Sequence, residues 1–293
     1  MSDRDRQPPV TDPRPDPRRG FDFLELNQRT PKPRTNRGVT EIRGTHYKPL
    51  GIRALEDTLE AMGEYIDTLK FAGGSFAIMP RAVSAKIIET CHAYDVKVST
   101  GGALEHALMR RGDVVDKFFA EVQDLGFDTV EVSANYISLP QDDLVRLCEK
   151  VVKLGLACKP EIALRSGTAG GVVSAADIES NDVADVAYMI QLGKRYLDAG
   201  AHMLMVESEG ITEDVTTWRP DVVSRLVDGL GLEHLMFEAA DPVVFAWYVR
   251  LYGAEVNLFV DHSQIYHLES LRSGVGGGGP LWGRVLTYAP DAD

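Results

Sequence analysis

The chain has 293 residues, 44% of them hydrophobic, and a formal net charge of −13 at neutral pH. The first 37 residues carry nine Lys or Arg and six Asp or Glu, which leaves a charge of −16 on the rest. An acidic body argues against nucleic acid or an anionic membrane as the main partner. No apolar run reaches the roughly 20 residues that span a bilayer, and the N-terminus lacks the apolar core of a secretory signal.

The N-terminal region is predicted to be a disordered or extended arm over residues 1–37. Residues 1–19 are rich in Pro, Asp and Arg and have too few apolar side chains to form a core. The segment FDFLEL, residues 21–26, could dock on a folded surface, and a polar linker follows it. We place one folded domain over residues 38–293, with its first strand starting near Val39.

From Val39 onwards, predicted strands and helices alternate along the chain. Asp241-Pro242 supplies an N-cap and a proline suited to a first helical turn, and Gly126 is one of several glycines that follow helical runs. We predict strands near 39–43, 65–71, 96–100, 129–134, 157–163, 203–208, 235–239 and 255–260. We predict helices near 53–62, 81–93, 103–125, 141–154, 182–199, 220–229, 242–252 and 263–272.

Eight strands that alternate with eight helices indicate parallel strands joined by helical crossovers. The number favours a (β/α)8 barrel of the TIM type that closes on itself. The alternative is an open doubly wound sheet, but no Gly-rich fingerprint follows the first strand, where a dinucleotide-binding fold would usually carry one.

The cysteine content fits a reducing compartment. Cys91, Cys148 and Cys158 are too few and too scattered for a disulfide framework or a zinc site. Unpaired cysteines are typical of cytosolic proteins, so we expect a cytoplasmic location.

Polar residues collect at the predicted C-terminal ends of the strands, where parallel barrels bind their ligands. Four apolar strands each hold a glutamate near this end, and Lys70 lies inside the apolar run of the second strand. A buried carboxylate is costly unless it is paired, hydrogen-bonded or bound to a metal. The strand-end residues are Arg43, Lys70, Ser99, Gly101, Gly102, Glu131, Ser133, Asn135, Glu161, Arg165, Glu207, Glu238, Asn257 and Asp261.

This mixture of acids and cations predicts a functional site. Oxygen-rich ligand sets suit Mg²⁺, which needs only a few protein carboxylates and completes its shell with water and substrate oxygens. The cationic side chains suit a small anionic substrate. Glu131 would then be a metal ligand or a positioning group at the barrel mouth. The alternative, which the sequence does not separate from this one, is an internal ion pair between Glu131 and Lys70.

Seven segments of the chain can be compared with a known family: YIDTLKFAGGS, VKVSTGGALEHAL, LGFDTVEVS, LDAGAHMLMVESEG, MFEAAD, GAEVNL and LESLRSGV. Read in order, they resemble the phosphosulfolactate synthase family. The resemblance runs from about residue 39 to residue 286. It implies a (β/α)8 barrel that uses Mg²⁺ and adds sulfite to phosphoenolpyruvate, giving 2-phospho-3-sulfolactate. Related proteins outside that pathway include plant heat-stress proteins.

The chain matches the family's residue pattern only in part. Arg43 stands in a first-strand segment where the family has Asp-Lys-Gly, and Leu164 and Arg165 stand where the family has two lysines. The sixth strand also lacks a family arginine. These departures affect the chemistry, because arginine is a poor proton donor compared with a buried lysine. The residues on matching family positions are Lys70, Gly101, Gly102, Glu131, Ser133, Glu161, Glu207, Glu238 and Asn257.

From position and resemblance together we expect catalytic roles for Lys70, Glu161 and Arg165. Magnesium ligands are expected at Glu131, Glu207 and Glu238. Substrate-binding residues are expected at Arg43, Ser99, Gly101, Gly102, Ser133 and Asn257.

The resemblance implies a Mg²⁺-dependent lyase-type enzyme that adds sulfite or another sulfur nucleophile to phosphoenolpyruvate or a related small acid. We expect a homo-oligomer with no nucleic-acid or membrane partner. The alternative is a non-catalytic descendant of the barrel with a ligand-binding or stress-related role.

Overall fold

Parallel strands form the centre of the fold, with helices between them. The computed structural model describes residues 20–24, 26, 29–45, 48, 50–164, 182–239 and 241–276. All strand pairs in this part of the chain are parallel, in the order β5-β4-β3-β2-β1-β9-β8-β7-β6. The strands are β1 Thr40–Arg43, β2 Thr68–Lys70, β3 Lys97–Ser99, β4 Thr129–Val130, β5 Ala157–Cys158, β6 Glu161–Ile162, β7 Leu204–Val206, β8 Leu235–Glu238 and β9 Asn257–Asp261.

The segments β5 and β6 are two halves of one predicted strand, and through them the sheet closes into a barrel. Lys159 donates its backbone N–H to Val130 O at 3.1 Å on one side, and Pro160 O accepts from Met205 N at 2.9 Å on the other. Proline has no N–H to contribute to the ladder, which coincides with the break between β5 and β6. Counted as continuous strands, the sheet has the eight members of the predicted (β/α)8 barrel.

The described helices follow the strands and cover the outside of the barrel. Asp241 accepts a hydrogen bond from Val243 N at 2.9 Å and so caps the helix that begins at Pro242, as predicted. The predicted helix over 103–125 is instead two helices, separated by a turn in which Gly112 has a φ of +80°. The helices are α1 Ile52–Met62, α2 Arg81–Ala93, α3 Leu104–Leu108, α4 Val114–Leu125, α5 Gln141–Lys153, α6 Asp182–Asp198, α7 Pro220–Leu230, α8 Pro242–Tyr252 and α9 Ile265–Arg272.

Buried side chains pack on both faces of the sheet. The larger apolar cluster includes Leu69, Val130 and Leu258 and lies between the sheet and the helices. A second, smaller cluster lies on the other face, inside the barrel, and contains Val39, Met203, Met205, Met236 and Phe259. These apolar residues come mainly from β7, β8 and β9, so the opposite side of the interior is left to polar side chains.

Residues 29–38 run across the N-terminal end of the barrel. Arg34 is buried, and its Nε lies 3.0 Å from Asp67 Oδ1 just before β2. Asn257 Nδ2 donates to Asn36 O at 3.0 Å. This part of the predicted arm is therefore packed on the barrel, whereas residues 1–19 lie outside the described residues. No described helix has the length and apolar character needed to cross a membrane.

Candidate active site

Charged side chains from six strands converge inside the barrel at the C-terminal ends of the strands. Alternation along a strand sends every second side chain inward, and this places residues of one parity from each strand in the same layer. They are nearly excluded from solvent, with no more than 10% of the side chain exposed for those whose ion pairs are described. The group, which we call the mouth cluster, consists of Arg43, Lys70, Glu131, Glu161, Glu207 and Glu238.

Lys70 lies at the centre of the mouth cluster. Its Nζ is 2.8 Å from Glu131 Oε2 and 3.0 Å from Glu161 Oε1, and it lies 4.5 Å from the centre of the Phe259 ring. Burial lowers the pKa of Lys70, but Glu131 and Glu161 outweigh it and hold the pKa well above its ordinary value. Lys70 is therefore a fixed positive charge and a poor proton donor.

Glu131 lies below Lys70 and is completely buried. Its second carboxylate oxygen, Oε1, lies 2.9 Å from Nζ of Lys159. Burial raises the pKa of Glu131, but Lys70 and Lys159 together outweigh it, so its pKa falls below the ordinary value. The ion pair between Glu131 and Lys70, which the sequence left as an alternative, is present in the structure.

A second group of carboxylates lies beside Lys70. Asn135 Nδ2 donates to Glu161 Oε2 at 2.7 Å and to Glu207 Oε2 at 3.1 Å. The carboxyl groups of Glu207 and Glu238 lie next to each other. Like charges held together in a buried site disfavour ionisation, and Glu238 is in addition ion-paired with Arg43, whose guanidinium lies 4.9 Å from the Phe259 ring centre.

The pKa values of this group reflect the crowding. Burial, with Glu131 and Glu238 adding to it, raises the pKa of Glu161 to about 7 in spite of the neighbouring Lys70. Burial and the adjacent Glu238 raise the pKa of Glu207 well above its ordinary value. A carboxyl that titrates near neutrality can both donate and accept a proton, so Glu161 has the properties of a general acid–base group.

Two glycines after β3 allow the backbone to pass close to the cluster. Gly101 has a φ of +55°, and a Cβ there would lie 2.6 Å from Phe71 O and 3.4 Å from Lys70 Cε. A Cβ on Gly102 would lie 3.1 Å from Ser133 Oγ. Glycine is the one residue that tolerates both the positive φ and the close approach. Ser99 is buried at the same end, where its Oγ accepts from Gly101 N at 3.3 Å.

Glu105 in the short helix α3 was not predicted from the sequence. It is 2% exposed, and its carboxylate accepts hydrogen bonds from Ser133 Oγ, Asn135 N and Tyr136 N, the latter two at 3.0 and 2.8 Å. It thereby fixes the segment that carries Asn135. No spacing in the sequence marks it, because its partners are the Ser133 hydroxyl and backbone groups some 30 positions away.

Two of the predicted site residues call for correction or comment. Asn257 lies at the N-terminal start of β9, away from the mouth, where its Oδ1 accepts from Val39 N at 3.0 Å and its Nδ2 donates to Leu235 O at 3.1 Å. It ties backbone segments together and does not line the mouth, because the C-terminal residue of this strand is Asp261. Arg165 lies outside the described residues.

The three predicted metal ligands separate into two places. Glu131 has an ammonium group on each carboxylate oxygen and lies below the mouth. Glu207 and Glu238 lie together at the mouth, and their mutual repulsion would be relieved by a hard cation. Within the described ranges no three His, Cys, Asp or Glu side chains are arranged to hold a metal ion. The residues present therefore fit a two-carboxylate site of the kind that Mg²⁺ completes with water and substrate.

A wide cleft of about 940 Å³ opens at the other end of the barrel, beside residues 32–36. Its lining includes Lys159, Met203 and Met236, which come from the first halves of the strands. Active sites of such barrels lie at the C-terminal ends of the strands. We place the candidate active site at the mouth, because the titratable groups converge there.

Comparisons with known proteins agree with the fold. The family model described as (2R)-phospho-3-sulfolactate synthase (ComA) matches residues 27–278. Protein HEAT-STRESS-ASSOCIATED 32 of Arabidopsis thaliana is 36% identical over 259 residues, covering 85% of this chain and 90% of that protein. Phosphosulfolactate synthase of Methanothermobacter thermautotrophicus is 26% identical over 264 residues, covering 88% of this chain and 96% of that protein.

Among solved structures, the carboxyl transferase domain of Rhizobium etli pyruvate carboxylase superposes with a TM-score of 0.54 at 17% identity. The match covers 77% of this chain and 40% of that chain, and at this identity it bears on the fold alone. The family match, by contrast, spans most of the chain and includes every strand of the barrel. The chain belongs to the (2R)-phospho-3-sulfolactate synthase (ComA) family.

Proposed function

We propose that the protein is a Mg²⁺-dependent lyase-type enzyme that adds a sulfur nucleophile, sulfite or a related species, to phosphoenolpyruvate or a similar small acid. The observation that carries the proposal is the position of Lys70, a permanent cation held beside a carboxyl group, Glu161, that titrates near neutrality. This pair of side chains suits an anionic substrate and a proton transfer.

In this reaction the nucleophile forms a bond to C3 of phosphoenolpyruvate while the C2=C3 π bond breaks. The electron pair moves to C2 and its carboxylate, and C2 then takes a proton. Lys70 and Arg43 bind the anionic groups of the substrate and stabilise the charge that develops. Glu161 in its protonated form delivers the proton to C2. In the family, a lysine stands at the position of Leu164. Because Leu164 cannot donate a proton, we assign this role to Glu161.

The metal would be held by Glu207 and Glu238. When bound, Mg²⁺ would neutralise charge on the carboxylate and phosphate oxygens of the substrate. Asn135 donates to both Glu161 and Glu207 and so holds the proposed acid next to the proposed metal-binding pair. We further propose that the enzyme works in the cytoplasm as a homo-oligomer. Its three cysteines are unpaired and buried, which is consistent with that location.

One observation favours a second candidate function. Lys70 and Arg43, the two cations of the mouth cluster, are each ion-paired with a carboxylate of the protein. A barrel whose cations are neutralised internally could bind a ligand or a partner without turnover. The relative named for heat stress in Arabidopsis thaliana belongs to the same family, and its name does not state an enzymatic activity.

The two candidates are separated by a turnover assay. The protein is incubated with phosphoenolpyruvate and Mg²⁺ and with sulfite, sulfide or a small thiol in separate reactions, and ³¹P NMR follows the phosphoenolpyruvate signal. We expect loss of that signal and a new phosphate-ester resonance with at least one nucleophile, at a rate that Glu161→Gln lowers. Binding of phosphoenolpyruvate with no new resonance in any reaction would favour the non-catalytic candidate.

A further inference from the structure

Five charged side chains of alternating sign form a chain through the inside of the barrel. Glu161 lies 3.0 Å from Lys70, Lys70 lies 2.8 Å from Glu131, and Glu131 lies 2.9 Å from Lys159. Lys159 in turn is ion-paired with Glu41 on β1. The upper end of this chain is at the mouth, and its lower end lies beneath Glu131, toward the N-terminal ends of the strands.

Lys159 does not touch any group that we assign to substrate or metal. It is 2% exposed, and its described partners are the carboxylates of Glu131 and Glu41. It engages Oε1 of Glu131, whereas Lys70 engages Oε2 of the same carboxylate. The attraction of Glu131 is thus divided between one ammonium group above it and one below it.

We propose that Lys159 is a positioning residue that acts on Lys70 through Glu131. With Lys159 in place, Glu131 offers one oxygen to Lys70, and the Lys70 ammonium also reaches Glu161 and the face of the Phe259 ring. Without Lys159, both oxygens of Glu131 are free to attract Lys70. The Lys70 ammonium group then moves toward Glu131 and away from the mouth. This inference rests on the proposed function insofar as Lys70 binds the substrate anion.

Glu41 has the opposite influence on the same chain. It draws Lys159 toward β1, and burial raises the pKa of Glu41 in spite of that lysine. Removing Glu41 alone would leave Glu131 as the main counter-ion of Lys159. Glu131 would then be held more firmly from below, and Lys70 would be released toward Glu161. Removing Lys159 and removing Glu41 are therefore predicted to move the Lys70 ammonium group in opposite directions, toward Glu131 in the first case and toward Glu161 in the second.

The main test uses the double variant Lys159→Met/Glu41→Gln, which removes one charge of each sign and keeps most of the buried volume. The control is Lys150→Met, which removes an exposed lysine ion-paired with Asp116 on the outside of the barrel. Titrations with phosphoenolpyruvate and with inorganic phosphate measure affinity, and crystal structures locate Lys70 Nζ.

We expect the double variant to bind both anions about five- to tenfold more weakly than the wild-type protein, and the control to stay within about twofold. In a Glu131→Gln background the same double change should have no further effect, because the path through Glu131 is absent. The crystal structure should show Lys70 Nζ displaced toward Glu131. An unmoved ammonium group, or equal losses of affinity with and without Glu131, would overturn the inference.

Two further readouts keep the outcome decisive. If the double variant does not fold, Glu41→Gln alone, an isosteric change, decides: tighter anion binding supports the inference, and unchanged or weaker binding overturns it. If the wild-type protein binds neither phosphoenolpyruvate nor phosphate, the proposed function fails. The position of Lys70 Nζ in the crystal structures still decides whether Lys159 sets it.

Discussion

The ammonium group of Lys70 lies between two carboxylates, 2.8 Å from Glu131 and 3.0 Å from Glu161. The two carboxylates differ in their other neighbours. Glu131 has a second lysine, Lys159, and stays ionised, whereas Glu161 has crowded carboxylates and titrates near neutrality. One lysine thus connects a permanent anion inside the barrel with a titratable acid at its mouth.

Replacing Lys70 by Met should weaken both anion binding and the fold. Methionine keeps most of the apolar stem, but Glu131 loses one of its two ammonium partners. Breaking a buried ion pair typically costs about 3–5 kcal/mol, and we expect about 3 kcal/mol here because Lys159 remains. Urea unfolding measures the loss. Lys70→Met/Glu131→Gln should recover part of it, and a Lys70→Met variant as stable as the wild-type protein would contradict the buried pairing.

Glu207 and Glu131 should respond differently when each is replaced by Gln. Glu207→Gln should lower Mn²⁺ affinity by at least about tenfold and leave stability almost unchanged, because the amide removes the charge a hard cation needs. Glu131→Gln should cost about 3 kcal/mol of stability, because two buried lysines lose their shared anion. Mn²⁺ titration followed by electron paramagnetic resonance, with urea unfolding in parallel, measures both. If Glu131→Gln lowered the Mn²⁺ affinity and Glu207→Gln lowered the stability instead, Glu131 would be a metal ligand.

Stability should fall as the pH rises from about 5 to about 7. The pKa of Glu161 in the folded protein, about 7, lies above its ordinary value of 4.5, so the folded state binds more protons than the unfolded state in this range. Its contribution is therefore fully present below pH 4.5 and is lost as the pH approaches 7, amounting to up to about 3 kcal/mol. The measurement is the free energy of unfolding at a series of pH values.

Glu161→Gln supplies the comparison for that pH dependence. The amide does not titrate, so the variant should lose a large part of the slope between pH 5 and pH 7. Burial and Glu238 also raise the pKa of Glu207, and its contribution should remain in the variant with the same sign. Identical slopes in the two proteins would show that Glu161 does not carry the shift.

Alanine should be tolerated poorly at Gly101 and better at Gly112. Both glycines have positive φ, but a Cβ at Gly101 would lie 2.6 Å from Phe71 O, whereas a Cβ at Gly112 would meet nothing within 4 Å. We expect about 1 kcal/mol of strain for Gly112→Ala and about 3 kcal/mol for Gly101→Ala, since the backbone clash adds to the strain. Thermal and urea unfolding compare the two variants, and equal losses would show that the close approach is unimportant.

The barrel could be predicted from the sequence because its signals are local. Apolar runs of strand length alternate with amphipathic helical runs, and glycines such as Gly126, with a φ of +86°, end helices where the backbone turns left-handed. The helix predicted over 103–125 was wrong in one respect. Periodicity continues across Gly112, but the chain turns there and starts a second helix.

The site was only partly predictable, because contacts inside the barrel depend on register across strands. The sequence predicts a site role for Glu161 but none for Lys159, which lies two residues earlier and therefore on the same inward face. Lys70 is thus not the only buried lysine of the strands. Asn257 was assigned to the mouth although it is the first residue of its strand, where strand direction places it at the opposite end. Glu105 could not be found from spacing, because most of its partners are backbone groups.

The most direct test of the proposed active site is a crystal structure of the protein with Mn²⁺ and phosphoenolpyruvate, in which anomalous scattering locates the metal. We predict Mn²⁺ at Glu207 and Glu238, with an anionic group of phosphoenolpyruvate within hydrogen-bond distance of Lys70 and Arg43. Metal bound elsewhere, or phosphoenolpyruvate in the cleft beside residues 32–36 at the other end of the barrel, would contradict it.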